Sequence, residues 1–229
     1  TAILCAGLVG FTACDSFLDE DPKSSLTLDT YYKTSADIIG NVNYLYRDGA
    51  PDKMGNMTGA YRGSSLSVMN MVTGYFVNEY EGQEVDCSYA RQLTRQDFTQ
   101  SCCNYLTNDT WKSCYKSINV ANAVIKYVDG VEMDNQAQYK AEARFFRALN
   151  YFYLVKMFGD VPMVTEPTED ATLVEYPTRT AASEVFNTVI IPDLQFAVEN
   201  LPNATFAGNS HRVTKYAADM LLADVYMRL

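Results

Sequence analysis

The most regular feature of the sequence is a set of segments in which apolar residues recur every three or four positions. This spacing places them on one face of an α-helix. The first segment follows Thr34 or Ser35, either of which can cap a helix, and Asp48-Gly49-Ala50-Pro51 ends it. Its apolar face consists of Ile38, Ile39, Val42, Leu45 and Tyr46. The pattern therefore predicts one amphipathic helix in this part of the chain.

Two longer helices are predicted in the middle of the chain. The first begins at Asn108 or Asp109 and ends before Asp129-Gly130; its apolar positions include Trp111, Tyr115, Ile118 and Ile125. The second is capped by Asp134 or Asn135 and ends at Gly159, in the manner of a left-handed C-terminal residue. Its predicted buried stripe is Ala141, Phe145, Ala148, Leu149, Phe152 and Val155, with Glu142, Arg144, Arg147 and Lys156 off the stripe. A short turn joins the two helices, so they should lie antiparallel and bury their stripes together.

A second helix pair is predicted after a proline-containing loop at 160–180. It comprises a helix over 181–200, which Pro192 should kink or split, and a helix over 214–229. Repeated helix pairs indicate an all-α fold of tetratricopeptide-like helix pairs, an α-α superhelix, with irregular loop insertions. The main insertion is the glycine- and tyrosine-rich segment 50–106.

The beginning of the chain has the pattern of an export and anchoring signal. Residues 1–13 carry no charge and are too short to span a bilayer, which takes about 20 apolar residues. Small residues then precede Cys14, and an acidic stretch follows it, as in a bacterial lipobox with Phe11 in place of the more usual Leu. We interpret 1–13 as a partial signal peptide, Cys14 as the lipid attachment site and 14–33 as an extended tether. The alternative is a buried N-terminal helix with ordinary cysteines.

The charge and the cysteine content of the chain argue against several classes of function. The 229 residues include 18 basic and 28 acidic residues, a net charge of −10, and no basic cluster, which argues against a nucleic-acid partner. No zinc site is predicted, because the cysteine spacing is wrong and the single histidine, His211, lies far along the chain. An exported chain permits disulfides among Cys87, Cys102, Cys103 and Cys114, but the sequence does not choose among the three possible pairings.

The most plausible ligand-contacting stretch is TGYFVNEYEGQE at 73–84. A sugar-binding surface combines aromatic rings, which cover the apolar faces of sugars, with amides and acids for the hydroxyls, and loops on a rigid scaffold commonly carry such groups. The predicted ligand-binding residues are Tyr75, Asn78, Tyr80 and Glu81, with Tyr61 and Arg62 as weaker candidates. The alternative is that Tyr75 and Phe76 are local core. Trp111 lies on an apolar stripe, which favours core packing over sugar stacking.

Nothing in the sequence marks a catalytic site. A glycosidase needs two carboxylates at a set separation, and no pair stands out among the acids. A serine–histidine triad would depend on His211, and no phosphate-binding glycine loop or dinucleotide motif is present. We therefore predict a non-enzymatic protein without a cofactor or catalytic residues.

Five stretches occur in this order along the chain: CDSFLDEDP, WKSCYKSINVANAVI, AEARFFRALNYFYLVKMFGDVPMV, RTAASEVFNTVIIPDL and RVTKYAADMLLADVYM. Together they resemble the SusD/RagB family of outer-membrane nutrient-binding lipoproteins. The resemblance covers about the N-terminal half of a typical member, so 34–229 is interpreted as a SusD-like N-terminal helical domain, truncated at its C-terminus. One departure is Ser210-His211, where the family commonly has Gly before the position of Arg212.

The resemblance implies a fold, a location and a task. The expected fold is tetratricopeptide-like helix pairs that carry an irregular ligand-binding part. The expected task is capture of an oligosaccharide, polysaccharide or other nutrient at the cell surface and its transfer to a TonB-dependent outer-membrane transporter, with the protein held on the membrane through its lipid. The alternatives are a tetratricopeptide-like protein-interaction scaffold and, less favoured, a glycoside hydrolase.

Overall fold

The computed structural model describes residues 28–47, 70, 72–75, 92, 94–97, 101–169 and 177–229. The helices and strands in these ranges are α1 (Leu28–Tyr31), α2 (Ser35–Arg47), α3 (Ser101–Tyr127), α4 (Gln136–Phe158), β1 (Val161–Pro162), β2 (Arg179–Thr180), α5 (Ala182–Val185), α6 (Ile191–Asn200) and α7 (Lys215–Tyr226). Short 3₁₀ turns occupy Val128–Gly130 and Ala207–Asn209, and a π-helical turn, Phe186–Ile190, joins α5 to α6. The described part of the chain is thus mainly helical, as the periodicity predicts.

Helix α4 lies at the centre of the described fold and packs against α2, α3 and α6. Side-chain contacts show that α3 and α4 are antiparallel, because Trp111 meets Phe158 near one end while Asn122 meets Arg147 further along. Helices α6 and α7 are antiparallel too, since Gln195 contacts Tyr226 and the Lys215 amide donates to the Pro202 carbonyl. Helix pairs therefore form the scaffold.

The prediction that α4 buries a single stripe of residues is wrong, because α4 lies at the centre of the described fold. Glu142 and Arg147, placed off the buried stripe by the sequence pattern, are buried, whereas Leu149 is only half-buried. Three neighbouring helices cover most of the circumference of α4, so a single-stripe interpretation underestimates its burial. Among its buried residues are Ala141, Ala143, Phe145, Phe146, Ala148, Tyr151, Phe152, Leu154 and Val155.

The buried Glu142 carboxylate belongs to a cluster that joins α2, α4 and the segment before α7. Arg212 Nε lies 2.9 and 3.0 Å from its two oxygens, and the Tyr46 hydroxyl donates to Oε2 at 2.8 Å. Arg212 also donates to Asn43 Oδ1 at 2.7 Å, and the Val213 amide donates to the Tyr46 hydroxyl at 2.9 Å. Burial raises the pKa of the Tyr46 phenol above its ordinary value. Residues 169 positions apart in sequence are thereby held together.

A second buried ion pair joins α4 to α6. Arg147 binds Asp193 in a bidentate manner, with Nε to Oδ2 at 2.7 Å and Nη2 to Oδ1 at 2.9 Å. Its remaining Nη1 donates to Asn122 Oδ1 of α3 at 2.9 Å, and the Asn122 amide donates to the Val164 carbonyl at 3.0 Å. Arg144 Nη1 lies 3.8 Å from Asp193 Oδ1, and the Arg144 guanidinium stacks over the Phe196 ring. One polar network therefore fixes three helices and the segment after α4.

The segment after α4 contains two short strands that the sequence does not predict. In their antiparallel pairing Val161 is opposite Thr180 and Pro162 is opposite Arg179. Two tyrosines fix this segment, since the half-buried Tyr115 donates from its hydroxyl to the Pro162 carbonyl at 2.7 Å and the hydroxyl of the buried Tyr151 lies 2.7–2.8 Å from the backbone of Val164. Burial raises the pKa of Tyr151 to about 12.

Several helix ends differ from the sequence-based predictions. The tether at 14–33 was expected to be extended, but Leu28–Tyr31 is helical and Tyr32 is buried, stacked on Tyr127. Helix α3 begins at Ser101 rather than at Asn108 or Asp109. Helix α2 begins as predicted. Thr34 and Asp37 form a capping box, in which the side chain of each residue accepts a hydrogen bond from the backbone N–H of the other. Asn135 precedes α4 with a left-handed backbone and forms no side-chain cap.

Pro192 interrupts its helix as predicted. It lies at the start of α6, directly after the π-helical turn Phe186–Ile190. Proline has no N–H to donate to the preceding turn, and a π-helical turn accommodates such a break without ending the helical path. The apolar residues of this segment are buried: Val185, Phe186, Val189, Leu194 and Ala197.

The turn before α7 contains Ser210 and His211, where the family commonly has Gly. Both residues have positive φ, 51° and 62°, in the left-handed region that favours glycine. The His211 amide donates to the Phe206 carbonyl at 2.9 Å, and its ring packs edge-on against Phe206. This turn brings Arg212 to Glu142, and α7 follows after Thr214.

One of the four cysteines has a described side chain: Cys114 is buried in α3. The side chains of Cys87, Cys102 and Cys103 lie outside the described residues, as do Cys14 and residues 1–27.

Candidate functional site

Tyr75, one of the predicted ligand-binding residues, lies on a short hydrogen-bonded turn. The Thr73 hydroxyl donates to the Asn70 carbonyl at 2.6 Å, and the Tyr75 amide donates to the Thr73 hydroxyl at 3.3 Å. Gly74 has φ 76°, a conformation that glycine adopts without a steric penalty. The local sequence Thr-Gly thus forms a turn that presents the following tyrosine.

The Tyr75 side chain is 89% exposed, the most exposed aromatic side chain among the described residues. The alternative in which Tyr75 is local core is therefore wrong. An exposed aromatic ring offers a flat apolar surface with a polar hydroxyl at its edge. Such a surface can cover the apolar face of a sugar ring while the phenol remains hydrated.

The remaining predicted ligand residues are not placed by the structure. Asn78, Tyr80 and Glu81, and the weaker candidates Tyr61 and Arg62, lie outside the described residues. Trp111 is part of the scaffold, as predicted, since its ring packs against Tyr115 and Phe158 at 5.0 and 5.1 Å between centroids. His211 packs on Phe206 at the turn before α7.

An open groove of about 640 Å³ lies between α2 and the turn that joins α3 to α4. This groove is not predictable from the sequence, because its two sides are about a hundred residues apart along the chain. Carboxylates, an amide and a phenol line it without any basic residue, so it repels anions and admits neutral or cationic groups. The lining residues are Ser35, Ile39, Glu132, Met133, Asp134, Asn135 and Tyr139.

Across the described ranges, histidine, cysteine and acidic side chains do not gather into a group of three or more that would suit a metal ion. In the same ranges, every helix is too short or too polar to cross a bilayer.

Comparison with known proteins identifies the family. The family model described as "Starch-binding associating with outer membrane", SusD-like, matches residues 16–227. The chain belongs to the SusD-like family. Proteins of this family bind carbohydrate and are found at the outer membrane of the cell surface. The family predicted from the sequence is thereby confirmed.

Curated relatives support the same family. This SusD-like chain is 26% identical over 227 residues to SusD-like protein P25 of Formosa agariphila, covering 94% of this chain and 40% of that protein. It is 28% identical over 225 residues to a SusD-like protein of Bacteroides ovatus, covering 95% of this chain and 37% of that protein. The chain therefore spans about two-fifths of the length of these relatives.

Solved structures confirm the fold. A SusD superfamily protein from Parabacteroides distasonis matches with a TM-score of 0.64 and 25% identity, over 82% of this chain and 38% of that one. A laminarin-binding SusD-like protein matches with a TM-score of 0.64 and 24% identity, over 86% of this chain and 40% of that one. The predicted tetratricopeptide-like, all-α class is thereby confirmed.

Proposed function

We propose that this chain is the helical part of a cell-surface lipoprotein that captures a glycan and passes it to a TonB-dependent outer-membrane transporter. The observation that carries the proposal is the exposed Tyr75 ring, presented on a hydrogen-bonded turn within the insertion of a SusD-like scaffold. Family members of similar fold include a laminarin-binding protein and one whose structure was solved with a xylogluco-oligosaccharide.

Charge favours a neutral glycan over a polyanionic one. The chain carries a net charge of −10, and the 11 residues after Tyr75 contain Glu79, Glu81, Glu84 and Asp86 without a basic residue. Laminarin and xyloglucan are uncharged, whereas a polyuronate or sulfated glycan would be repelled over a distance of about 8–10 Å at moderate salt. The proposed ligand is thus a neutral oligosaccharide or polysaccharide.

Affinity electrophoresis tests glycan capture. Gels containing laminarin, xyloglucan or starch should include at least one that retards the protein, while an alginate gel should not. Tyr75→Ala should weaken binding about tenfold, because truncation of an aromatic anchor is among the costlier changes at a binding surface. Tyr216→Ala, which removes another half-exposed tyrosine from α7, is the control and should migrate as wild type does. Equal retardation of Tyr75→Ala and wild type would remove Tyr75 from the site.

The same assay separates glycan capture from the two alternatives. A protein-interaction scaffold would migrate unchanged through all four gels. A glycoside hydrolase would release reducing sugar from the glycan that retards it, with sustained turnover. Binding without sugar release is the result expected of a capture protein.

The anchor and the transporter form the remaining part of the proposal. Cys14 would carry the lipid, and two or more acyl chains hold a protein stably on a membrane. In cells that express the full-length precursor, a palmitate analogue should label the protein, and detergent extraction of outer membranes should co-purify a TonB-dependent transporter. Cys14→Ala should abolish both, whereas Cys114→Ala, which alters a buried thiol, should retain the label. Equal labelling of Cys14→Ala would exclude this anchor.

A further inference from the structure

The turn that presents Tyr75 is held by a side chain 21 residues further along the chain. Gln96 Nε2 donates a hydrogen bond to the Val72 carbonyl at 3.2 Å. Hydrogen bonds at the Thr73 hydroxyl close the turn from within. The Gln96 amide adds a point of attachment outside the turn.

The backbone at Gln96 supports a positioning role. Its φ of 55° lies in the left-handed region, which a residue with a Cβ adopts at a steric cost. The Asp97 amide donates to the Gln92 carbonyl at 2.9 Å and so closes a turn around Gln96. Strained backbone of this kind persists where surrounding contacts determine it and concentrates at ligand-binding segments.

The hydrogen bond from Gln96 to Val72 is suited to orienting the turn and contributes little to the stability of the fold. Gln96 and Tyr75 are both exposed, so the Gln96 hydrogen bond competes with water and adds little to folding. A ring that is 89% exposed has little packing to fix it, and a mobile ring would lose conformational entropy on binding. Fixing the turn beforehand reduces that loss.

We propose that Gln96 is a positioning residue for Tyr75: its amide fixes the 72–75 turn so that the ring meets a neutral glycan in one orientation. This rests on the proposed function, since it assumes that Tyr75 contacts the glycan. Gln96 acts through the turn, so its contribution to affinity should vanish when the Tyr75 ring is absent.

The test is a double-mutant cycle on the whole chain, measured by isothermal titration calorimetry. The probe is oligosaccharide from whichever of laminarin, xyloglucan or starch retards the wild type. Gln96→Glu preserves side-chain size and removes the N–H donor. We expect it to raise Kd roughly three- to tenfold in the wild-type background and less than about twofold in the Tyr75→Ala background, because coupled residues are non-additive. The melting temperature should stay within about 1 °C of wild type.

Two further variants make the outcome unambiguous. Gln195→Glu makes the same charge change in α6 and removes an exposed hydrogen bond from the Gln195 amide to the Tyr226 hydroxyl, and its Kd should equal that of wild type. Gln96→Ala removes the amide without adding charge and should match Gln96→Glu. An unchanged Kd for Gln96→Ala, or an equal loss in both Tyr75 backgrounds, would overturn the positioning role. Because Tyr75→Ala alone would still weaken binding, that result is distinct from failure of the proposed function, in which the wild type binds none of the three glycans.

Discussion

Asp193→Ala is expected to lower the free energy of unfolding by roughly 3–5 kcal/mol, the range found when one partner of a buried ion pair is removed. The change leaves the Arg147 guanidinium, only 8% exposed, without the carboxylate that accepts two of its hydrogen bonds. Water has little access to solvate the remaining charge. Urea denaturation followed by circular dichroism at 222 nm measures the loss.

A matched control is available on α7. Asp224 pairs with Arg228 at 3.2 Å, and both side chains are substantially exposed. Asp224→Ala should cost less than about 0.5 kcal/mol, as is usual for an exposed i,i+4 pair. Should Asp193→Ala prove too unstable to purify, Arg147→Met with Asp193→Leu should restore folding, since apolar residues often replace a buried pair without loss. Equal stability of Asp193→Ala and Asp224→Ala would contradict a structural role for the α4–α6 pair.

Arg212→Ala is expected to destabilise the chain by about 3 kcal/mol. It removes the cation from a carboxylate that is completely buried, leaving Glu142 with hydrogen bonds from Tyr46 and Gln138 alone. It also breaks the link to Asn43, so hydrogen exchange of α2 amides should accelerate more than that of α6. Urea denaturation and amide hydrogen exchange measure the two effects.

Two variants sharpen this second prediction. Arg212→Lys keeps the charge but loses the planar, bidentate geometry, so it should recover only part of the stability. Arg228→Ala removes an exposed arginine from an i,i+4 pair and should have little effect. If Arg212→Ala and Arg228→Ala unfold at the same urea concentration, the Glu142 cluster does not hold α2 to the scaffold.

The helices and their apolar faces were largely predictable from the sequence because each depends on local periodicity. The path of the chain at Pro192 was predictable for the same reason, since proline acts on its own backbone turn. Thr34 and Asp37 likewise satisfy each other within one turn. Each of these features depends only on a few residues that are close together in the sequence.

The buried charges were not predictable, because each depends on contacts between distant segments. Glu142 is satisfied by Tyr46 and Arg212, and Arg147 by Asn122 and Asp193. The hydrophobic pattern of a helix predicts that its charged residues face solvent. That prediction holds for most surface helices but fails for a helix that is surrounded by others. The groove between α2 and the turn that joins α3 to α4 was not predicted for the same reason, since its two sides meet only in the folded chain.

The candidate site was predictable only in part. Composition pointed to the 73–84 stretch, and the exposure of Tyr75 agrees with a surface role. Gln96 carried no sequence signal, because an isolated glutamine in a polar loop is ordinary and its contact with Val72 arises only in three dimensions. Asn78, Tyr80 and Glu81 remain predictions from the sequence.

The measurement that bears most directly on glycan capture by this helical scaffold is titration calorimetry of the purified chain with neutral oligosaccharides. Wild type should bind an oligosaccharide of laminarin, xyloglucan or starch saturably at one site, and Tyr75→Ala should bind it about tenfold more weakly with an unchanged melting temperature. Absence of saturable binding to all three, or equal affinity of wild type and Tyr75→Ala, would contradict the account.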